Sequence, residues 1–435
     1  MNIVVVGTGY VGLVSGTCLS EVGNDVTCVD IDEEKIRKLE QGEIPIYEPG
    51  LSAMVTSNVK AGRLKFTSSL VSVLDDAEAV FIAVGTPSRE DGHADLQYVY
   101  AVAEQIGKNI KNYKVIVNKS TVPVGTGVEV EDIIKKYYSG EFDVVSCPEF
   151  LREGSAVEDF MKPDRVVLGV RTDKAAKIML DVFRGIRGEK LVTTVESSEL
   201  IKYASNAFLA TKISFVNEIA HICERSGADI EEVAYGVGLD KRIGPRFLKA
   251  GIGWGGSCFP KDVEALDQMA GIYGYDFKLL KAVIEVNNHQ RAHMVDLIKK
   301  HFGGSIQGKT IGVLGLAFKS DTDDVRESAA LDIIKLLRNE GAHIKAFDFE
   351  ATETAKKVLG NGEIEYMQDP YEVTTGADAL LIATEWPQFA ELDWDKVKAG
   401  LNAPVLFDGR NLLNPKRMRE QGFTYYCIGR ASGAH

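Results

Sequence analysis

The sequence predicts an α/β fold of two doubly wound halves joined by a long helix, and three observations carry that prediction. Short apolar runs ending in glycine or an acid alternate with helical stretches from residue 2 onward, the pattern of parallel strands with crossover helices. The same pattern begins again after residue 301, as an internal repeat would. Between the copies, residues 197–225 read as one helix, roughly 40 Å long and so longer than one small domain needs; it is expected to link domains or subunits. At 435 residues the chain accommodates two or three domains, with breaks expected at 1–196, 197–300 and 301–435.

The first element is an apolar strand, Ile3-Val4-Val5-Val6, followed at once by Gly7-Thr8-Gly9-Tyr10-Val11-Gly12. A GxGxxG alone is a weak signal. This one leaves a strand, opens a helix of small residues and has Asp30 about 20 residues on, which together make the dinucleotide-binding, Rossmann-like fingerprint. Gly7, Gly9 and Gly12 let the backbone reach a pyrophosphate at the helix N-terminus, where free amides and the helix dipole favour negative charge; Tyr10 and Val11 complete the turn. Asp30 suits ribose hydroxyls and repels a 2′-phosphate, so the expected cofactor is NAD rather than NADP.

Strand-like segments follow at 79–84, 114–118 and 143–146, and a shorter one at 165–168. The first three run into polar or turn residues, as the ligand-facing carboxyl ends of parallel strands do. Thr121 and Glu153 lie in such ends and are candidates for the site. On the long helix, Lys202 and Asn206 are four apart and share a face. The apolar neighbours Ile201, Ala204, Phe208 and Leu209 argue that this face is partly buried.

Four glycines in six residues then precede a thiol, in Gly251-Ile252-Gly253-Trp254-Gly255-Gly256-Ser257-Cys258-Phe259-Pro260-Lys261-Asp262. Absent side chains leave the backbone open to a ligand. Lys261 favours a thiolate at Cys258, and Asp262 shares the thiol's face if Pro260 opens a helix. A free cysteine is ordinarily a small buried hydrophobe; the glycine run and the acid–base pair favour a nucleophile here.

Beyond a break at 301–308 the opening recurs. Residues 310–314 are a strand ending in Gly315-Leu316-Ala317-Phe318-Lys319, 328–339 a helix, and 343–347 a strand ending in Asp348; the run at 377–383 echoes 77–83, and Arg410 follows a further strand end. The second turn lacks the full glycine fingerprint, so this copy is expected to hold a nucleotide other than NAD. Lys319, Arg326 and Arg410 supply cations for a diphosphate.

A formal charge of −13 argues against a nucleic-acid partner, although Lys241, Arg242, Arg246 and Lys249 form a local basic run. No apolar stretch approaches the length of a membrane span. The chain opens directly on a strand, so a cytoplasmic location is expected. Six dispersed cysteines read as reduced thiols, and seven scattered histidines show no metal-binding spacing.

The order of these motifs resembles the UDP-glucose/GDP-mannose dehydrogenase family over essentially the whole chain. Its specific pieces are GTGYVG at 7–12, STVPVGT at 120–126, PEFLREGSA at 148–156, Lys202 with Asn206, GGSCFPKD at 255–262 and GLAFK at 315–319. The resemblance implies an N-terminal NAD domain, a helical dimerisation region carrying the thiol loop and a C-terminal Rossmann-like domain for the sugar nucleotide. It also implies two successive oxidations at the sixth carbon of the sugar, consuming two NAD and one water and leaving a uronate. In that scheme Asp262, with a water or Lys202, assists removal of the alcohol proton. Cys258 captures the aldehyde and passes through a thiohemiacetal to a thioester, with Lys202 and Asn206 stabilising the oxyanion. Glu153 serves as acid–base in hydrolysis and Thr121 positions water. The resemblance assigns NAD contacts to Lys35, Thr86, Thr121, Lys261 and Arg326. It assigns the sugar-nucleotide site to Glu149, Phe150, Leu151, Arg152, Glu153, Phe247, Leu248, Lys249, Ala250, Gly251, Gly255, Lys319 and Arg410, with Arg242 reaching across a homodimer. The family usually carries Asn where Cys147 stands here, so a small change in packing or hydrogen bonding is expected.

Within the family, Phe259 and the RIGPRFLKAG run at 242–251 favour the UDP-glucose branch over the GDP-mannose branch, and GGSCFPKD disfavours the N-acetylmannosamine branch. A sugar-nucleotide epimerase or dehydratase retaining NAD is a different class. It needs Lys four residues after Tyr, and none of the fifteen tyrosines has one. A non-catalytic NAD sensor would have no use for Cys258, Lys202, Asn206 and Asp262 together.

Overall fold

A computed structural model describes residues 1–89, 91–360, 362 and 364–431. The chain forms two compact units, Met1–Ser205 with Glu264–Tyr275, and Asn206–Val263 with Asp276–His435. Each is built on its own parallel sheet.

The first sheet comprises β1 (Asn2–Val6), β2 (Asp25–Val29), β3 (Leu64–Thr67), β4 (Ala79–Ile82), β5 (Val115–Asn118), β6 (Asp143–Ser146), β7 (Arg165–Gly169) and β8 (Glu189–Thr193). Its order is β3-β2-β1-β4-β5-β6-β7-β8. The pairs are parallel except β6 with β7, which meet antiparallel at Ser146 and Gly169. β1 is apolar without alternation because both faces are covered: Ile3 and Val5 enter one core, Val4 and Val6 the other. Two strands escape the sequence reading for a physical reason. Both are edge strands: β3 buries only alternate positions of its four residues, and β8 has no buried position.

The second sheet comprises β9 (Thr310–Leu314), β10 (His343–Phe347), β11 (Ile364–Tyr366), β12 (Ala379–Ile382), β13 (Val405–Asp408) and β14 (Thr424–Cys427), ordered β11-β10-β9-β12-β13-β14 and parallel throughout. This repeats the order of the first six strands of the other sheet. The recurrence extends to side chains. Asp30, just beyond β2, accepts from Thr8 N at 2.9 Å, and Asp348, just beyond β10, accepts from Leu316 N at 2.6 Å and Ala317 N at 3.0 Å. Each acid closes the turn leaving the neighbouring strand.

The predicted long helix spans Val195–Ser226, 32 residues that begin in the first unit and end in the second. Helices Ile230–Gly238 and Lys278–His301 pack in the second unit, and Phe259–Ile272 follows the thiol loop. No helix among the described residues is long and apolar enough to cross a membrane.

Candidate active site

The glycine turn of the first unit is shaped by close approach. Gly7 has φ +101°, and a Cβ there would lie 2.6 Å from the Ala83 carbonyl oxygen; one at Gly12 would lie 1.9 Å from the Gly7 oxygen. Gly9, by contrast, has open space before it and caps the helix Tyr10–Glu21 without any side-chain bond. That helix carries no acid in its first turn, so its positive end is left for an anion. Asp30 Oδ2 accepts from Thr8 N, Thr8 Oγ1 and Lys35 Nζ, at 2.9, 2.6 and 3.1 Å. Burial pushes its carboxyl up, but these bonds outweigh burial and hold it below its ordinary value. Val11 lies inside the helix beside Tyr10. Thr86 and Thr121 are both buried and meet where Thr86 Oγ1 donates to the Thr121 carbonyl at 3.0 Å.

The strand end after β6 organises the second group. Lys202 Nζ lies 3.1 Å from Glu149 Oε1, and both side chains are almost wholly buried. Burial raises the Glu149 carboxyl, but the Lys202 ammonium and the Leu151 N–H hold it below the usual range. Phe150 is stacked 3.7 Å from the Arg165 guanidinium, with Lys202 Nζ 5.4 Å from its ring. Lys202 is therefore a buried cation, as expected, though not because of the apolar neighbours: Ala204 and Phe208 are exposed. Cys147 is buried with its thiol 3.8 Å from Lys119 Nζ. Burial pushes that thiol up, and Lys119 pulls against it.

The thiol loop lies in the second unit. Cys258 immediately precedes the helix Phe259–Ile272, and Asp262 N donates to its carbonyl at 2.9 Å; the Pro260-opened helix predicted from sequence is present. Asp262 is buried with both oxygens engaged. Asn206 Nδ2 donates to Oδ2 at 2.6 Å and Lys261 Nζ to Oδ1 at 2.7 Å. Ser257 Oγ lies 3.6 Å from Cys258 Sγ. Two of the loop's glycines are required by the protein's own packing. A Cβ at Gly255 would sit 2.0 Å from the Glu327 oxygen, and one at Gly256 2.6 Å from the Phe318 ring. These two glycines admit the protein's own backbone and an aromatic ring. Upstream, Phe247 has φ 64°, a strained value for a bulky side chain, and its ring lies 6.2 Å from Phe259. Leu248 and Ala250 are buried, and Lys249 is exposed.

Arg410 ties this loop to the second sheet, donating to the carbonyls of Gly253, Phe318 and Ala383 at 3.1, 3.2 and 2.9 Å. A Cβ at Gly251 would lie 3.7 Å from the Arg410 side chain. Lys319 sits beside Phe318, 5.5 Å from its ring. Three of the predicted cations are paired with nearby acids. Arg152 is paired with Asp159, Arg242 with Asp240 and Arg326 with Asp324; all three arginines are exposed.

Sequence reasoning missed the groups that hold the loops. Glu48 accepts from the Tyr10 hydroxyl and from Gly154 N at 2.8 Å, next to Glu153. Glu199 accepts from Gly125 N and Gly127 N, both at 2.8 Å. Asn217, Asn287 and Gln290 bond the backbone of Gly251 and Trp254. A single polar residue whose partners lie 33 to 106 positions away leaves no periodic or motif signal.

Known proteins match the chain along its length. Residues 1–187 match the NAD binding domain of the UDP-glucose/GDP-mannose dehydrogenase family, 196–289 its central domain and 312–415 its UDP binding domain. The UDP-glucose 6-dehydrogenase TuaD of Bacillus subtilis is 55% identical over 99% of this chain and 93% of its own length. The UDP-glucose 6-dehydrogenase of Rhizobium meliloti is 48% identical over 99% of this chain and 100% of its own. Among solved structures, a UDP-glucose dehydrogenase from the hyperthermophilic archaeon Pyrobaculum islandicum superposes with a TM-score of 0.93 at 41% identity, covering 99% of this chain and 98% of that one. With all three domain types matched in order on its own sheets and loops, the chain belongs to the UDP-glucose/GDP-mannose dehydrogenase family.

Proposed function

We propose that this chain oxidises UDP-glucose to UDP-glucuronate with two equivalents of NAD. The observation that carries this reading is Cys258 at the head of the helix Phe259–Ile272, one turn before an Asp262 held by Asn206 and Lys261. A thiol beside a fixed carboxylate serves an oxidation that passes through a covalent intermediate; removal of a single hydride from an alcohol has no need of one. The names of the relatives and the matched UDP binding domain support UDP-glucose as the substrate.

The turn at 7–12 fits NAD: two of its glycines are obligatory, the third faces open space, and Asp30 stands at the end of β2. Gly7, Gly9 and Gly12 would hold the pyrophosphate and Asp30 the ribose, with Lys35, Thr86, Thr121, Lys261 and Arg326 as further contacts. When bound, NAD accepts the hydride in each of the two oxidations. The chain's own groups do the rest. Asp262 takes the proton of the sugar's primary hydroxyl in the first oxidation. Cys258 Sγ then forms a bond to the aldehyde carbon, and Lys202 and Asn206 stabilise the oxygen that gains electron density, a contribution of a few kcal/mol per donor, about 3 in well-studied cases. The second oxidation turns the thiohemiacetal into a thioester. Glu153 takes a proton from a water held near Thr121, the water attacks the thioester carbonyl, and the C–S bond breaks to return the thiol.

The sugar nucleotide is assigned to Glu149, Phe150, Leu151, Arg152, Glu153, Phe247, Leu248, Lys249, Ala250, Gly251, Gly255, Lys319 and Arg410. We further propose a homodimer, with Arg242 contributing to the neighbouring subunit's site. Phe208, Phe215 and Ile222 are exposed at seven-residue spacing on one face of the helix Val195–Ser226, the layout of a helix that buries a stripe against a second copy. None of the six cysteines forms a disulfide, which supports a reducing, cytoplasmic setting.

The test is stoichiometry across three substrates. Two NADH per UDP-glucose, with GDP-mannose and UDP-N-acetylmannosamine turned over at least about 100-fold less efficiently, is the expected result. No net NADH would point to an epimerase or dehydratase. Preference for GDP-mannose would overturn the substrate assignment.

A further inference from the structure

The second unit holds a cluster that the proposed reaction does not use. His221 and Glu224 on the helix Val195–Ser226 meet His293 on the helix Lys278–His301, and one ligating atom of each lies within 4.8 Å of the others. All three are partly buried, with side chains 15 to 21% exposed. Two helices from different parts of the chain make the site, which is why the spacing of the histidines gave no sign of it.

The bonds around the cluster fix which atoms face inward. Gln290 Nε2 donates to the Gly251 carbonyl at 2.8 Å, so its Oε1 is an acceptor, and His221 Nε2, 2.9 Å away, must carry the proton. The lone pair of neutral His221 is then on Nδ1, which faces Glu224 Oε2 across 3.8 Å. That gap is too long for a hydrogen bond. Nδ1 is thus the atom that His221 turns to the carboxylate, a position that a proton fills in the ion pair and that a metal ion can take in its place. A zinc-class ion, bonded at about 2.0–2.2 Å to nitrogen and oxygen, would span the gap and draw the two atoms slightly together. His293 Nε2 lies 3.1 and 3.0 Å from the two Glu224 oxygens, a hydrogen bond that a metal ion would replace, and completes a set of two imidazoles and one carboxylate. The supporting bonds are those of a metal site. His221 is oriented by Gln290 through its other nitrogen, and Glu224 Oε1 is oriented by the Gly429 N–H at 2.9 Å.

We propose that His221, Glu224 and His293 form a binding site for a divalent transition-metal ion of the zinc class, with a fourth position open to water. The donor set, two imidazole nitrogens and one carboxylate, favours zinc or cobalt over magnesium or calcium, which prefer oxygen. The ion would clamp the two helices and Gly429, two residues beyond β14, and through Gln290 it would touch the backbone of Gly251 in the thiol loop.

The test is titration of metal-depleted, untagged full-length protein with Co²⁺, followed by visible absorption. One Co²⁺ per chain is expected, with the d–d bands of a nitrogen–oxygen site, no thiolate charge-transfer band, and displacement by Zn²⁺. His293→Ala and Glu224→Gln should each weaken binding at least about tenfold, whereas His289→Ala, an exposed histidine one turn away, should bind like the parent. Absence of stoichiometric binding by the parent protein overturns the proposal. So does undiminished binding in both variants, or a thiolate band that places the ion on Cys258.

Discussion

Asn206 Nδ2 donates to Asp262 Oδ2 at 2.6 Å, while Lys261 Nζ holds the opposite oxygen at 2.7 Å. With Asp262 only 1% exposed, the carboxylate cannot turn without breaking a bond that water is not there to replace. Replacing one oxygen by an amide nitrogen in Asp262→Asn sets two donors against each other on one side. We expect kcat to fall roughly 100- to 1,000-fold with the UDP-glucose KM changed less than about tenfold, the pattern of a group acting mainly in the transition state. Steady-state kinetics of the purified variant decide it: a loss confined to KM would make Asp262 a substrate anchor instead.

The covalent role of Cys258 is tested separately. Cys258→Ala should form no uronate while binding NAD and UDP-glucose within about threefold of the parent, since the thiol contributes a bond to an intermediate and little to ground-state affinity. Calorimetry gives the affinities and product chromatography the turnover. Mass spectrometry of the parent quenched during turnover should find the sugar nucleotide attached at Cys258. Uronate production by the alanine variant at near-parental rate would remove the thioester from the scheme.

What was legible in the sequence follows from distance along the chain. The strand–glycine–helix opening and its acid occupy 30 contiguous residues, and these elements fold as read, whereas the bond by which Asp30 closes its turn on Thr8 appears only in the fold. The second copy was equally plain because the same local grammar recurs at 310–348, and β9 and β10 take the places of β1 and β2. The helix behind Cys258 was visible from Pro260 alone. Glu48 was not. It bonds Tyr10 and Gly154, 38 and 106 positions away, and nothing local marks a glutamate that will be buried. The same holds for the glycines of the thiol loop: their number announced a close approach, but only the fold shows that Glu327 and Phe318 are what approaches Gly255 and Gly256.

Glu48 should position the loop that carries Glu153. Its carboxylate joins the Tyr10 hydroxyl to the Gly154 and Val157 amides, and burial together with that carboxylate pushes the Tyr10 phenol far above its ordinary value, keeping it a donor. Glu48→Gln replaces one accepting oxygen with a donor and loosens the residue next to Glu153. If Glu153 serves hydrolysis, the variant should accumulate the Cys258 thioester in quenched samples, with kcat down about tenfold and NAD affinity little changed. A merely structural glutamate would lower the melting temperature without building up that adduct.

Glu199 links stability to pH. Its buried carboxyl accepts two backbone bonds at the start of the helix Thr126–Lys135, yet burial outweighs them and pushes its pKa up from 4.5 to about 7. An acid raised on folding holds a proton in the native state that the unfolded chain has already lost, so between pH 4.5 and 7 stability falls as pH rises, and above 7 this contribution is flat. The shift corresponds to a loss on the order of 2–3 kcal/mol across that window. Glu199→Gln, which cannot ionise, should remove the slope. Urea unfolding of the first unit's transition at several pH values between 5 and 8 should show the parent losing that much more than the variant. Parallel profiles for the two proteins would mean that the carboxylate stays ionised at the helix start, held there by Gly125 and Gly127 against its burial.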